Sequence, residues 1–122
     1  MSVPQWLRKK EINAYFRLPQ EDWQPVKILL HENGGRYVTP DGDEEGTFQY
    51  LAHGNHPSGG EVLVLHWLEN KGPLQGKTGI DTLWLELQGA EIKVRGTFFC
   101  DRTQDYGEIS DKSSDRSDIS FE

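Results

Sequence analysis

The sequence is poor in the residues that build covalent or metal-held frameworks. Its 122 residues include one cysteine, so an intramolecular disulfide and a zinc site made of several thiolates are excluded. No apolar run approaches the roughly 18–20 residues that a membrane-spanning helix needs. The opening residues place Arg8, Lys9 and Lys10 after a short apolar patch, the reverse of the order in a secretory signal. These features predict a cytoplasmic protein with no membrane partner.

Positive charge is also scarce. The chain carries 13 lysine and arginine residues against 20 aspartate and glutamate residues, a formal net charge of -7. Binding along a nucleic-acid backbone requires clustered basic side chains, so a nucleic-acid polymer is not an expected partner. A local basic pocket within an acidic surface is still allowed.

Apolar residues are few but regularly placed, because over short segments they alternate with polar residues at the period of a β-strand. The alternation predicts seven or eight strands, within residues 12–16, 26–30, 36–39, 47–51, 61–68, 82–87, 91–99 and 106–109. Strands at this spacing, with no convincing long helix, are typical of barrels and sandwiches. We expect a small antiparallel meander barrel over residues 1–110, because consecutive strands usually pair and closure removes exposed edges. The alternative is a β-sandwich.

Turn signals separate the predicted strands. Glycine, proline and aspartate supply the backbone angles that turns require. The predicted turns and loops are Gly34-Gly35 and residues 40–43, 53–60, 70–78 and 88–90. Residues 1–10 are interpreted as a lead-in with room for a short helix. Residues 111–122 are polar and contain few apolar side chains, which predicts a flexible acidic tail.

Five side chains are candidates for contact with a small ligand. They are His66, Trp67, Trp84, Lys93 and Arg95. A histidine on a cavity-lining strand can donate to a ligand oxygen, although a core histidine is the ordinary alternative. Lys93 and Arg95 share one strand face, where two cations can grip a phosphate or carboxylate, unless they simply pair with acids such as Glu86. The tryptophans either stack on a ring of the ligand or fill the core.

The other reactive side chains favour structural roles. His53 and His56 are spaced to reach one metal ion, but zinc needs three or four protein ligands, so turn histidines are preferred and neither a metal nor a cofactor is expected. Cys100 lacks the surroundings of a catalytic cysteine, which favours a buried structural thiol. The acidic residues of 41–45 lack the spacing of an EF-hand loop and are expected at a solvated hairpin tip.

One segment near the end of the chain resembles a known family. Residues 83–109 contain Gly96, Phe98, Phe99, Asp101, Arg102, Gly107 and Ile109. This pattern resembles the closing strands of the small β-barrel cyclic-nucleotide sensors of bacterial CBASS antiviral systems. The resemblance implies a barrel that binds a cyclic dinucleotide in antiviral defence, with the Asp101-Arg102 pair closing the last strand connection. Members of that family carry membrane helices ahead of the barrel, and this sequence shows no such segment.

Taken together, these features favour binding over catalysis, because no catalytic constellation of residues is evident. Our first hypothesis is a non-enzymatic barrel that recognises a small ligand, with a nucleotide-like ligand implied by the resemblance. The alternative is a protein–protein interaction module, an accessory or inhibitor protein that engages a basic partner through its acidic surface and tail. The third hypothesis is a metal-assisted hydrolase that uses His53, His56 and His66.

Overall fold

Eight antiparallel strands close into a barrel in the computed structural model, which describes residues 1–101 and 106–112. The strands are β1 Glu11–Arg17, β2 Gln24–His31, β3 Gly34–Val38, β4 Glu45–Asn55, β5 Glu61–Lys71, β6 Thr78–Gln88, β7 Glu91–Cys100 and β8 Tyr106–Ser110. Each strand pairs with the next, and β8 returns to β1, with Phe16 opposite Ile109. The expected meander barrel is therefore confirmed and the sandwich alternative is wrong. Of the expected tail, residues 113–122 lie outside the described residues.

The predicted strands overlap the observed ones, but two loop predictions are too long and one turn is misplaced. Strand β4 continues through His53 and β5 continues through Lys71. Gly34 and Gly35 do not form the turn but begin β3. A Cβ atom at Gly34 would lie 2.0 Å from the backbone carbonyl oxygen of Phe48, and one at Gly35 would lie 2.1 Å from that of Leu29. These glycines therefore permit close approach of the neighbouring strands.

The N-terminal segment closes one end of the barrel, which we call the closed end. It contains a single 3-10 turn, Gln5–Leu7, and the side chains of Val3 and Leu7 are fully buried. The Val3 N–H donates to the backbone carbonyl oxygen of Glu32 at 3.0 Å, and the Lys9 N–H donates to that of Leu30 at 2.8 Å. The segment is thus tied to β2 and to the turn that follows it.

The barrel interior is apolar towards the closed end, as the period-two pattern predicts. Side chains that point inward there are at most 2 % exposed: Ile12, Leu30, Leu63, Leu65, Leu83, Leu85 and Val94. The opposite end, which we call the open end, carries the turns after β1, β3 and β5. Within the described residues, the chain forms no helix long and apolar enough to cross a membrane.

Replacing Trp6 by phenylalanine is expected to lower the free energy of unfolding by about 1 kcal/mol. The indole Nε1 of Trp6 donates to Glu61 Oε1 at 3.0 Å, which joins the N-terminal segment to β5. Phenylalanine keeps most of the ring contact and loses this bond. Urea unfolding measures the change, and a variant as stable as the parent would show that the bond contributes nothing.

Candidate functional site

The interior of the open end holds a cavity of about 60 Å³. All eight strands contribute side chains to its wall, and most of these side chains are apolar. Four polar side chains interrupt the apolar wall: Tyr37, Glu44, Glu69 and Asp81. An apolar cavity with a few convergent polar groups is the usual form of a small-molecule site.

Glycines on neighbouring strands make room for three aromatic rings of the cavity wall. The directly opposed pairs are Tyr37–Gly46, Trp67–Gly79 and Phe98–Gly107. A Cβ atom at these glycines would lie 2.5 to 2.7 Å from a ring atom of the aromatic partner. The Phe98 ring also makes an edge contact with Trp67, with the centroids 6.4 Å apart. The rings lie against the barrel wall, and the space between them stays open.

Tyr37, Glu44 and Glu69 form a hydrogen-bonded group in the cavity wall. Tyr37 Oη donates to Glu69 Oε1 at 2.6 Å, and the Leu74 N–H donates to Glu69 Oε2 at 2.9 Å. Burial, and then the hydrogen bond to Glu69, raise the pKa of Tyr37, so its hydroxyl stays protonated and donates. Burial, followed by the hydrogen bond and charge of Glu69, raises the pKa of Glu44 to about 8. Glu44 is therefore mostly protonated at neutral pH.

The position of Glu44 corrects an expectation from the sequence. The acidic residues of 41–45 were expected at a solvated tip, which holds for the exposed Asp41 but is wrong for Glu44, which is only 8 % exposed. Two hydrogen bonds hold the Glu44 backbone against Thr39: the Thr39 N–H donates to the Glu44 carbonyl oxygen at 2.9 Å, and the Glu44 N–H donates to Thr39 Oγ1 at 3.1 Å.

Asp81 is a buried carboxyl that faces the same cavity from β6. Its exposure is 5 %, and the described part of the chain gives its carboxyl no hydrogen-bond partner. Burial alone raises the pKa of Asp81 to about 8. A donor of another wall residue is also unused, because Trp67 Nε1 is buried without a partner among the described residues. Two residues of the cavity wall therefore carry polar groups without a partner among the described residues, one an acceptor and one a donor.

The five candidate residues from the sequence do not form one site. Trp67 lines the cavity, whereas His66, Trp84, Lys93 and Arg95 alternate with inward-pointing residues and lie on the outer face. Trp84 is directly opposite Arg95, and its Nε1 donates to the Gly59 oxygen at 2.9 Å. Lys93 Nζ pairs with Glu91 Oε1 at 3.2 Å rather than with the suggested Glu86.

The histidines are not gathered around a common point. His53 Nε2 lies 3.8 Å from Glu61 Oε2, and His56 Nδ1 accepts from the Ser58 N–H at 3.0 Å. Within residues 1–101 and 106–112, no group of three or more histidine, cysteine, aspartate or glutamate side chains is placed to hold a metal ion. Cys100 is buried, at 2 % exposure, as expected of a structural thiol.

The sequence reasoning missed the three acids of the cavity, although a signal for two of them exists. Glu69 falls on the same alternate positions as Leu65 and Trp67, and Asp81 falls on the same alternate positions as Leu83 and Leu85. An acid in phase with buried residues points inward. Glu44 lies in a turn, where no such periodicity operates.

Comparison of the chain with protein-family models, with curated proteins and with solved structures gives no match. The resemblance to the cyclic-nucleotide sensors therefore stays a prediction. Of the Asp101-Arg102 pair, the Asp101 N–H donates to the Thr78 oxygen at 2.9 Å, and Arg102 lies outside the described residues.

Proposed function

We propose that the protein is a binding protein that takes a small organic molecule into the open end of its barrel. One observation carries the proposal: Asp81 and Trp67 line one apolar cavity, and neither the Asp81 carboxyl nor the Trp67 indole N–H has a partner among the described residues. A buried polar group without a partner costs roughly 1–3 kcal/mol. A ligand that pairs with both groups recovers this free energy and also buries its own apolar surface against the aromatic wall.

The size of the cavity favours a small ligand. Its volume of about 60 Å³ is less than half of the roughly 150 Å³ of an engineered cavity that binds benzene. A ligand of a few heavy atoms fits, or one apolar end of a larger ligand. The cyclic dinucleotide implied by the resemblance is less favoured, because its phosphates would face the acids of the wall.

The expected result of a protein-observed NMR screen is that small polar organic molecules bind and shift the indole N–H signal of Trp67. The Trp84 indole N–H, which is already bonded to Gly59 on the outer face, serves as the internal control and stays unchanged. Shifts confined to Trp84 or to other outer-face residues would contradict a site in the cavity.

A pair of variants tests the location further. Val26 lies in the cavity wall and Val64 lies half-buried on the outer face of β5. Val26→Phe fills the cavity and is expected to abolish binding, whereas Val64→Phe adds the same bulk outside and leaves binding unchanged. Equal binding by the two variants would overturn the proposal.

The interaction-module alternative remains a prediction. It depends on the acidic surface and on residues 111–122, of which 113–122 are outside the described residues. The described contacts supply no observation that favours it over the cavity.

A further inference from the structure

We infer that the ligand of this cavity is an organic ammonium ion, a protonated primary amine attached to a small apolar group. The inference rests on the proposed function and names the class of its ligand. It follows from three features of the cavity: the sign of its charged groups, their unused bonding capacity and the character of the remaining wall.

The described residues of the cavity wall include acidic side chains but no basic one. Glu44, Glu69 and Asp81 contribute carboxyls, and among the described wall residues there is no lysine, arginine or histidine. All three side chains line the same cavity. Burial holds Glu44 and Asp81 in their neutral forms, and a bound cation would offset the cost of ionising them.

The bonding capacity of the wall matches an ammonium group. An ammonium ion has three N–H donors and no acceptor, and the Asp81 carboxyl accepts no bond from the described residues. Glu69 is held in place by Tyr37 and by the Leu74 N–H. A charge-assisted bond between N–H and carboxylate is roughly twice as strong as a neutral one. Asp81 therefore supplies the primary contact, and Glu69 a second, preoriented one.

The rest of the wall selects an organic cation over a metal ion. The described residues offer no group of three side chains placed to ligate a metal. Phe16, Trp67 and Phe98 surround the space instead, with the Phe16 and Phe98 centroids 6.1 Å apart. Aromatic faces attract an organic cation, and the apolar group of the amine is buried against them.

Cation binding also moves protons. The titratable groups that face the cavity are Tyr37 from β3, Glu44 from the turn after it, Glu69 from β5 and Asp81 from β6, and the wall residues from β1, β2, β4, β7 and β8 are apolar. Burial keeps Asp81 and Glu44 protonated near neutral pH. An ammonium ion favours their ionised forms, so binding releases a proton to the buffer.

The test compares three probes of nearly equal size: n-propylamine, 1-propanol and propionate. Affinities are measured at about pH 7 by NMR titration. The probes are added at millimolar concentrations, because a ligand of so few heavy atoms can bind only weakly. We expect the amine to bind at least about tenfold more tightly than the alcohol and propionate to bind least. Calorimetry of amine binding in two buffers of different ionisation enthalpy is expected to report net proton release.

Two variants connect the selectivity to the cavity. Asp81→Asn is expected to weaken amine binding by about tenfold or more and to change alcohol binding by less than about twofold. Glu91→Gln removes an exposed carboxyl from the hairpin between β6 and β7 and should leave both affinities unchanged. Similar losses in the two variants would indicate a general surface-charge effect and would overturn the inference.

The outcomes separate this inference from the proposed function. If the alcohol binds as tightly as the amine and shifts the Trp67 indole signal, the cavity is a ligand site but the ammonium inference is wrong. If none of the three probes shifts that signal, and no molecule in the wider screen does so, the proposed function fails and the inference fails with it.

Discussion

Replacing Asp81 by asparagine is expected to stabilise the protein by about 5 kcal/mol at pH 8 and to leave its stability nearly unchanged at pH 4. In the folded protein, burial raises the pKa of Asp81 to about 8, whereas in the unfolded chain the pKa is about 4. Between these values the unfolded chain gives up a proton that the folded protein keeps. The free energy of unfolding therefore falls as pH rises from about 4 to about 8. Asparagine stays neutral and removes this contribution.

Urea unfolding of the parent and of Asp81→Asn at pH 4, 6 and 8 measures the effect. Asp22→Asn, at an exposed position in the turn between β1 and β2, is the matched control and should show the parent's pH dependence. The free energy of unfolding of Asp81→Asn is still expected to fall somewhat as the pH rises, because burial also raises the pKa of Glu44 to about 8. Parallel curves for the parent and Asp81→Asn would mean that Asp81 ionises freely in the folded protein.

The same acid thus acts in opposite directions on stability and on ligand binding. Without a ligand, its burial lowers stability above about pH 4. With an ammonium ion bound, its ionised form gains a charge-assisted partner, and the free energy of that contact adds to the stability of the folded state. A site residue that weakens the fold is a common trade-off between stability and function.

The strands could be predicted because alternation is a local property of the sequence. In β7, for example, Val94 and Phe98 point inward and Lys93 and Arg95 point outward, as the pattern alone indicates. In β5 the pattern is ambiguous, because Val62 and Val64 make the second face apolar as well. Ring closure and register decide that the face with Trp67 is the interior.

The candidate site could be predicted only in part, because an interior acid violates the assumption that charge points to solvent. Glu69 and Asp81 are in phase with buried leucines, so their direction is readable, but the cavity around them is not. That space depends on pairs such as Trp67–Gly79, which join residues of different strands through the register. Glu44 depends on hydrogen bonds to Thr39 across a turn, which no periodicity reports.

Gly54→Ala is the matched control for Gly79→Ala, because a Cβ atom at Gly54, in β4, meets nothing within 4 Å. The free energy of unfolding should change by less than about 0.5 kcal/mol there. Gly79, in β6, differs in its surroundings: a Cβ atom would lie 1.7 Å from the Phe99 oxygen and 2.7 Å from Cζ2 of Trp67. Its replacement therefore requires a shift in both the neighbouring strand and the ring.

Gly79→Ala is expected to lower the free energy of unfolding by about 3 kcal/mol or more, since overpacking at this site moves backbone as well as side chain. Strand β7 must move away from β6, and the Trp67 ring must leave the wall and enter the cavity. The displaced ring also occupies the space for a ligand, so the remaining folded protein should not bind the amine that the parent binds. Urea unfolding and the Trp67 indole N–H signal measure the two consequences separately. A Gly79→Ala variant as stable as Gly54→Ala, with the parent's affinity, would show that the glycine does not hold this ring in place.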